Sequence, residues 1–128
     1  MNETTETPAT TTPTESNIIF SYSWDDAIND GTFIRIDDKI VKEAGFKYPI
    51  AFTSNLYYSY IDKKNADING RIWDVLWMMR HGKMDGNMCE FQVKLGMGNQ
   101  IVNLWAFCEA RSPSNPEPII TIMLPEDY

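Results

Sequence analysis

The sequence predicts an α+β fold: short helices packed on one face of a three-stranded antiparallel meander, residues 88–124, with a fourth or fifth strand available at residues 18–20 or 32–36. Three observations predict it. From Cys89 to Leu95 apolar and polar residues alternate at every position, the period of a strand with one wet face. Upstream, Ile72, Trp73, Val75, Leu76, Trp77, Met78 and Met79 form a segment of helical length that is apolar around most of its circumference. Capping and turn residues punctuate the intervals between such segments.

Residues 1–16 are mostly Thr, Glu, Pro and Ala, with nothing to bury, so ordering them costs entropy without return; a disordered leader is expected, followed by one domain from residue 17. The short apolar run Ile18, Ile19, Phe20 can lie against the body as a strand or arm. Ser23 is placed to cap a first helix, Asp25 and Asp26 suit its positive end, and Gly31 can stop it. Asp37 or Asp38 caps a second helix with Ile40, Val41 and Ala44 as its buried stripe, stopped by Gly45. Pro49 forces Tyr48 towards extended geometry, and Thr53 caps a third helix in which Leu56, Tyr57, Tyr60 and Ile61 share a face. The clearest helix begins at Gly70 or Arg71 and runs to about His81; its composition predicts the most buried helix of the molecule.

Register in the meander follows from the assumed turns. A two-residue turn at Gly98-Asn99 sets Cys89 opposite Cys108, Phe91 opposite Ala106, Val93 opposite Leu104 and Leu95 opposite Val102. The polar stretch from Arg111 to Glu117 reads as the next loop, which brings Ile120, Ile122 and Leu124 beside Cys108, Ala106 and Leu104. The opposite face then carries Glu90, Gln92 and Lys94, but also Trp105, Phe107, Ile119 and Met123. That half-apolar face needs a cover.

Eighteen acidic against eleven basic residues give a net charge of −7, which repels phosphate backbones, so nucleic acid is a poor candidate partner. No apolar stretch has the length of a membrane span, the N-terminus lacks a signal-peptide pattern, and Cys89 and Cys108 have no metal-type spacing. The expected setting is a reducing cytoplasm.

Three segments carry a likeness. Gly45-Phe46-Lys47-Tyr48-Pro49 after Ala44, the Gly70-Arg71-Ile72-Trp73-Asp74-Val75-Leu76-Trp77-Met78-Met79 run, and Ile119 to Pro125 resemble motifs shared by small phage and plasmid proteins classed only as a domain of unknown function. The resemblance covers the chain from about Phe20 onward. It implies a mobile genetic element acting inside a bacterial host and brings with it no activity, cofactor or catalytic residue.

Counting residues excludes much chemistry. His81 is the sole histidine, so His-based triads and His-rich metal sites are out, and its place near a helix C-terminus suits interaction with the negative helix end. Both cysteines fall on the predicted inward face, where a thiol behaves as a small hydrophobe; facing each other, they can join on oxidation. Asp25, Asp26, Asp30, Asp37 and Asp38 lack calcium-loop spacing; helix ends account for most of them, with a phosphate-mimicking acidic patch as the alternative. Gly96-Met97-Gly98 reads as a turn rather than a phosphate loop.

No cofactor and no enzymatic activity are expected. The leading expectation is a binding protein that attaches to a host or defence protein, or to its own copy, through Trp105, Phe107, Ile119 and Met123 or through the acidic segment. The alternative is a small-molecule or nucleotide binder built from Lys47, Tyr48, Arg71 and Trp73 at the start of the long helix.

Overall fold

The computed structural model describes residues 22–95 and 100–128. The expected leader, the strand or arm at residues 18–20 and the Gly98-Asn99 turn lie outside the described residues.

The first two helices form where the capping residues stand. Ser23 and Asp26 make a reciprocal capping box at the start of α1, Trp24–Asn29, and Gly31 beyond it adopts φ +87°. Strand β1, Phe33–Arg35, leads to α2, Asp38–Glu43, capped by the Asp37 carboxylate on the Lys39 N–H at 2.9 Å. Val41 and Ala44 are buried and Ile40 partly so, which is the predicted stripe.

Gly45, at φ +94°, turns the chain into β2, Ile50–Thr53. All four residues of β2 are buried, so it carries no alternation for sequence reading to find. Thr53 caps α3, Ser54–Leu56, through the Leu56 N–H. A π-helical turn, Tyr57–Ile61, then widens the spacing so that Leu56 and Ile61, five residues apart, are both fully buried.

Helix α4, Ile68–Met79, is capped by Asp67 and followed by the short strand β3, Lys83–Asp85. The meander comprises β4, Met88–Leu95, β5, Gln100–Ser112, and β6, Asn115–Met123. The sheet has six strands in the order β1-β2-β6-β5-β4-β3. It is mixed rather than purely antiparallel, because β2 runs parallel to β6, with Ile50 beside Ile120 and Phe52 beside Ile122. The class is α+β as predicted; the strand count is higher.

One register differs from expectation. On β4 and β5, Cys89 pairs with Ala106, Phe91 with Leu104, Val93 with Val102 and Leu95 with Gln100, a slip of two residues from the turn assumed at Gly98-Asn99. A slip of two preserves the side-chain face, so the same residues point inward. It removes the Cys89–Cys108 pairing: the two free thiols become diagonal neighbours, for which about 7–8 Å is usual, beyond normal disulfide reach.

The predicted loop from Arg111 to Glu117 contracts to a turn at Pro113-Ser114, since β5 and β6 continue to Ser112 and Asn115 across a bulge near Ala110. Pro118 is tolerated in β6 because the Ile120 N–H points to the β2 side, and the same parity aims the Pro118 imide nitrogen away from β5, where no ladder bond is lost. The pairs Cys108–Ile120 and Ala106–Ile122 are as counted.

The main core lies on the inner face of the sheet, where Phe52, Leu104 and Ile122 meet Leu56, Ile61, Val75 and Leu76. A smaller cluster on the outer face joins Trp24 of α1 to Ala51 and Ile119.

Candidate functional site

Among the described residues the outer face is closed on one half only. Over β1, β2 and β6 lies α1, whose Trp24 donates its indole N–H to the Thr121 hydroxyl at 3.1 Å and buries Ile119. Arg111 on β5 holds that helix in place by forking onto both oxygens of Asp25, at 2.9 and 2.8 Å, with Glu117 at 2.7 Å from its other nitrogen. Its guanidinium also stacks over Trp24, as does that of Arg35, at 5.5 and 5.6 Å from the ring centroid. The Arg111 contact holds the Asp25 carboxyl below its ordinary range, and Asp25 and Glu117 raise Arg111.

The other half carries Trp105 and Phe107 on β5, Met88 on β4 and Met123 on β6, all half-buried. Among the described residues their cover is one ring. Tyr128 stacks on Phe107 at 5.2 Å and meets Trp105 edge-on at 5.7 Å, yet remains 82% exposed. A short 3₁₀ turn, Pro125–Asp127, brings it there, and Asp127 is pinned by the Thr53 hydroxyl at 2.7 Å and the Asn55 amide at 3.0 Å. An open groove of about 490 Å³ runs between α1 and this aromatic cluster, lined by Tyr22, Trp24, Phe33, Phe107, Ile119 and Met123. Of the four residues predicted as an interaction surface, Trp105, Phe107 and Met123 are therefore partly accessible. Ile119 is 3% exposed and belongs to the core beneath α1.

The acidic residues are occupied by the fold. Asp25 serves Arg111, and Asp26 closes the α1 capping box. Asp30 accepts from the Tyr22 hydroxyl and the Thr32 N–H. Asp37 caps α2, and Asp38 pairs with Arg35 at 3.3 Å. Tyr22 lowers the Asp30 carboxyl and is itself raised by it. Each member of the expected acidic patch thus has a partner within the chain, and no metal-holding cluster occurs among the described residues.

The four residues of the expected ligand site are not brought together. Lys47 and Tyr48 line a small cleft of about 190 Å³ between the α2–β2 connection and Arg111. That connection is docked to the C-terminal end of α4, where Arg80 donates to the Ala44 carbonyl at 3.1 Å and fills the space beside Gly45. Arg71 is at the opposite end, donating to the Tyr60 carbonyl at 2.7 Å, and Trp73 lies on the outward side of the helix. An Arg at each end of α4 ties it to a neighbouring segment, which separates the two halves of the expected constellation.

Helix α4 departs furthest from its predicted burial. Ile72, Val75, Leu76 and Met79 face the core, whereas Trp73, Trp77 and Met78 are exposed. His81 bonds the Trp77 carbonyl through Nδ1 at 3.0 Å and packs against that indole, the predicted role at a helix end. The Cys89 thiol is buried against the Met79 carbonyl, and burial pushes its pKa up, so it is a poor nucleophile. Cys108 is only partly buried. The outward stripe of α4 faces a groove of about 420 Å³, shared with Gln92, Val93, Lys94 and Ile101. Composition alone signalled apolar residues here; what hides their exposure in the sequence is that a helix apolar all round normally has neighbours all round.

A family model matches the chain over residues 12–128. The chain belongs to the DUF6573 family, a family of unknown function. The match begins within the Thr-rich leader, ahead of the Phe20 start expected from the motifs. No curated protein and no solved structure matches the chain. Within this DUF6573 protein the motif segments fall on structural joints: Ala44 to Pro49 joins α2 to β2, residues 70–79 are the body of α4, and Ile119 to Leu124 is the β6 core strand with its exit. No helix among the described residues is long and apolar enough to cross a membrane.

Proposed function

We propose that this protein is a non-enzymatic binding protein that attaches to a partner protein through the aromatic half of the outer sheet face, Trp105, Phe107 and Met123 with Tyr128. One observation carries the reading: among the described residues an aromatic cluster on a central strand is left with a single, largely exposed ring as its cover. Large aromatics at the centre of a flat face, rimmed by polar groups such as Glu90, Gln92 and Glu109, have the composition of a binding hot spot. The likeness of its motifs to small phage and plasmid proteins supports origin on a mobile element, with a host or defence component in the bacterial cytoplasm as the partner.

The test is affinity capture from bacterial cells carrying the element, comparing the natural chain with Trp105→Lys. Lysine is the appropriate change because Glu90 lies directly opposite Trp105 across the strand pair, so the new charge is paired. The partner is expected to be lost with the fold intact by circular dichroism. Retention of the same partner by Trp105→Lys removes this surface from consideration.

A further inference from the structure

We propose that the open edge of β4, together with the outward face of α4, is a second docking site that takes an extended peptide of a partner protein as an added strand. The site is independent of the aromatic outer face.

Among the described residues the edge is open because β3 is short. It pairs with β4 only at Met88, Cys89 and Glu90, and from Phe91 to Leu95 no described strand lies on that side. The direction of the free groups follows from one bond. Cys108 N–H donates to the Asn87 carbonyl at 2.9 Å, so odd-numbered residues of β4 exchange bonds with β5 and even-numbered residues face the other way. Met88 and Glu90 are met by Asp85 and Lys83. Gln92 and Lys94 present their N–H and C=O to the groove.

Beside that edge, α4 supplies the wall. Trp77 is 47% and Met78 39% exposed, both line the groove, and Arg80 stacks on Trp77 at 5.5 Å. Ile101, opposite Lys94, adds apolar surface on the outer side. A ligand with donors and acceptors at two-residue spacing, and with side chains alternating between two faces, is an extended polypeptide. One set of its side chains packs on the Trp77–Met78 wall and is apolar. The other set lies on the outer face beside Lys94 and is acidic, since opposite charges directly across a strand pair attract.

A second copy of the chain fits worse. Pairing two β4 edges places the strands about 4.8 Å apart, but each brings its own α4, and packed helices need about 8–10 Å between axes. A bare strand has no such conflict.

Hydrogen exchange followed by NMR tests this with a defined probe, an acetylated and amidated heptapeptide alternating Glu and Val. In the free chain the Gln92 and Lys94 amides are expected to exchange at least tenfold faster than those of Phe91 and Val93, and saturating peptide is expected to slow them at least fivefold. Lys94→Pro removes one outward N–H without breaking a bond to β5, and Trp77→Ser removes the wall. Each is expected to weaken peptide binding at least fivefold, while Trp105→Lys leaves it unchanged. The proposal is overturned if Gln92 and Lys94 are already protected in the free chain, which assigns the edge to another segment of the chain or, where protection fades on dilution, to a second copy. It is equally overturned if the peptide gives no protection, or binds Lys94→Pro and Trp77→Ser as well as the natural chain.

Discussion

The two faces of the sheet are built from the same strands and have different fates. On the inner face β2, β4, β5 and β6 contribute to one continuous core beneath α2, α3 and α4, and Phe52, Leu104 and Ile122 are fully buried. On the outer face α1 closes only the half over β2 and β6, and the half over β5 is left to Tyr128. A closed face reports folding, whereas a half-closed face reports what the fold leaves for other purposes. Substitutions separate the two roles.

The largest expected effect is on the inner face. Leu104→Ala should cost about 2–5 kcal/mol of unfolding free energy, read from chemical denaturation, because the strand cannot collapse onto the cavity. A loss below 1 kcal/mol would put the sheet core elsewhere. An intermediate effect tests the latch of α1. Asp25→Asn should cost on the order of 1 kcal/mol at neutral pH, the usual value of a charge-assisted pair discounted for the 48% exposure of the carboxylate.

Because the folded carboxyl lies below its ordinary value of 3.8, the Asp25 contribution is fully present above that pH and fades as pH falls through the lower folded value. The gap between the natural chain and Asp25→Asn should therefore close in strong acid. A gap that stays unchanged as pH falls through the ordinary and then the lowered carboxyl value would show that Asp25 acts by packing rather than charge. The smallest effect belongs to the open half. Tyr128→Ala should cost about 0.5–1.5 kcal/mol, with a red shift in Trp105 emission as its edge meets water. A loss as large as that of Leu104→Ala would mean that Tyr128 closes a core.

Much of this division was legible in the sequence. Strict alternation from Cys89 to Leu95 fixed which residues point inward, and that survived a register slip because strand faces repeat every two residues. The caps Ser23, Asp37 and Thr53 marked helix starts because a short polar side chain is worth most where N–H groups lack partners. Strand β2 was hidden because burial on both sides removes the polar half of the pattern. Strand β3 was hidden for the opposite reason, since Lys83, Met84 and Asp85 are all exposed and signal nothing.

The interaction face was legible as parity, and three of its four residues stay partly open. Ile119 was lost to it because nothing local indicates that Trp24, far away in sequence, lies on top of it. The exposure of Trp77 and Met78 was likewise out of reach, because hydrophobic composition states what a helix prefers, and only the assembled fold shows how many neighbours it receives.

The parallel contact between β2 and β6 has a consequence in time. β6 stands between β2 and β5, so the N-terminal half of the sheet cannot join the C-terminal meander until β6, Asn115–Met123, has left the ribosome. Until then β2, a strand buried along its whole length in the finished fold, lacks its central neighbour. Closing so long a loop is slow, on the scale of milliseconds to seconds for sheets dominated by distant pairings. The N-terminal half of the sheet therefore waits for β6.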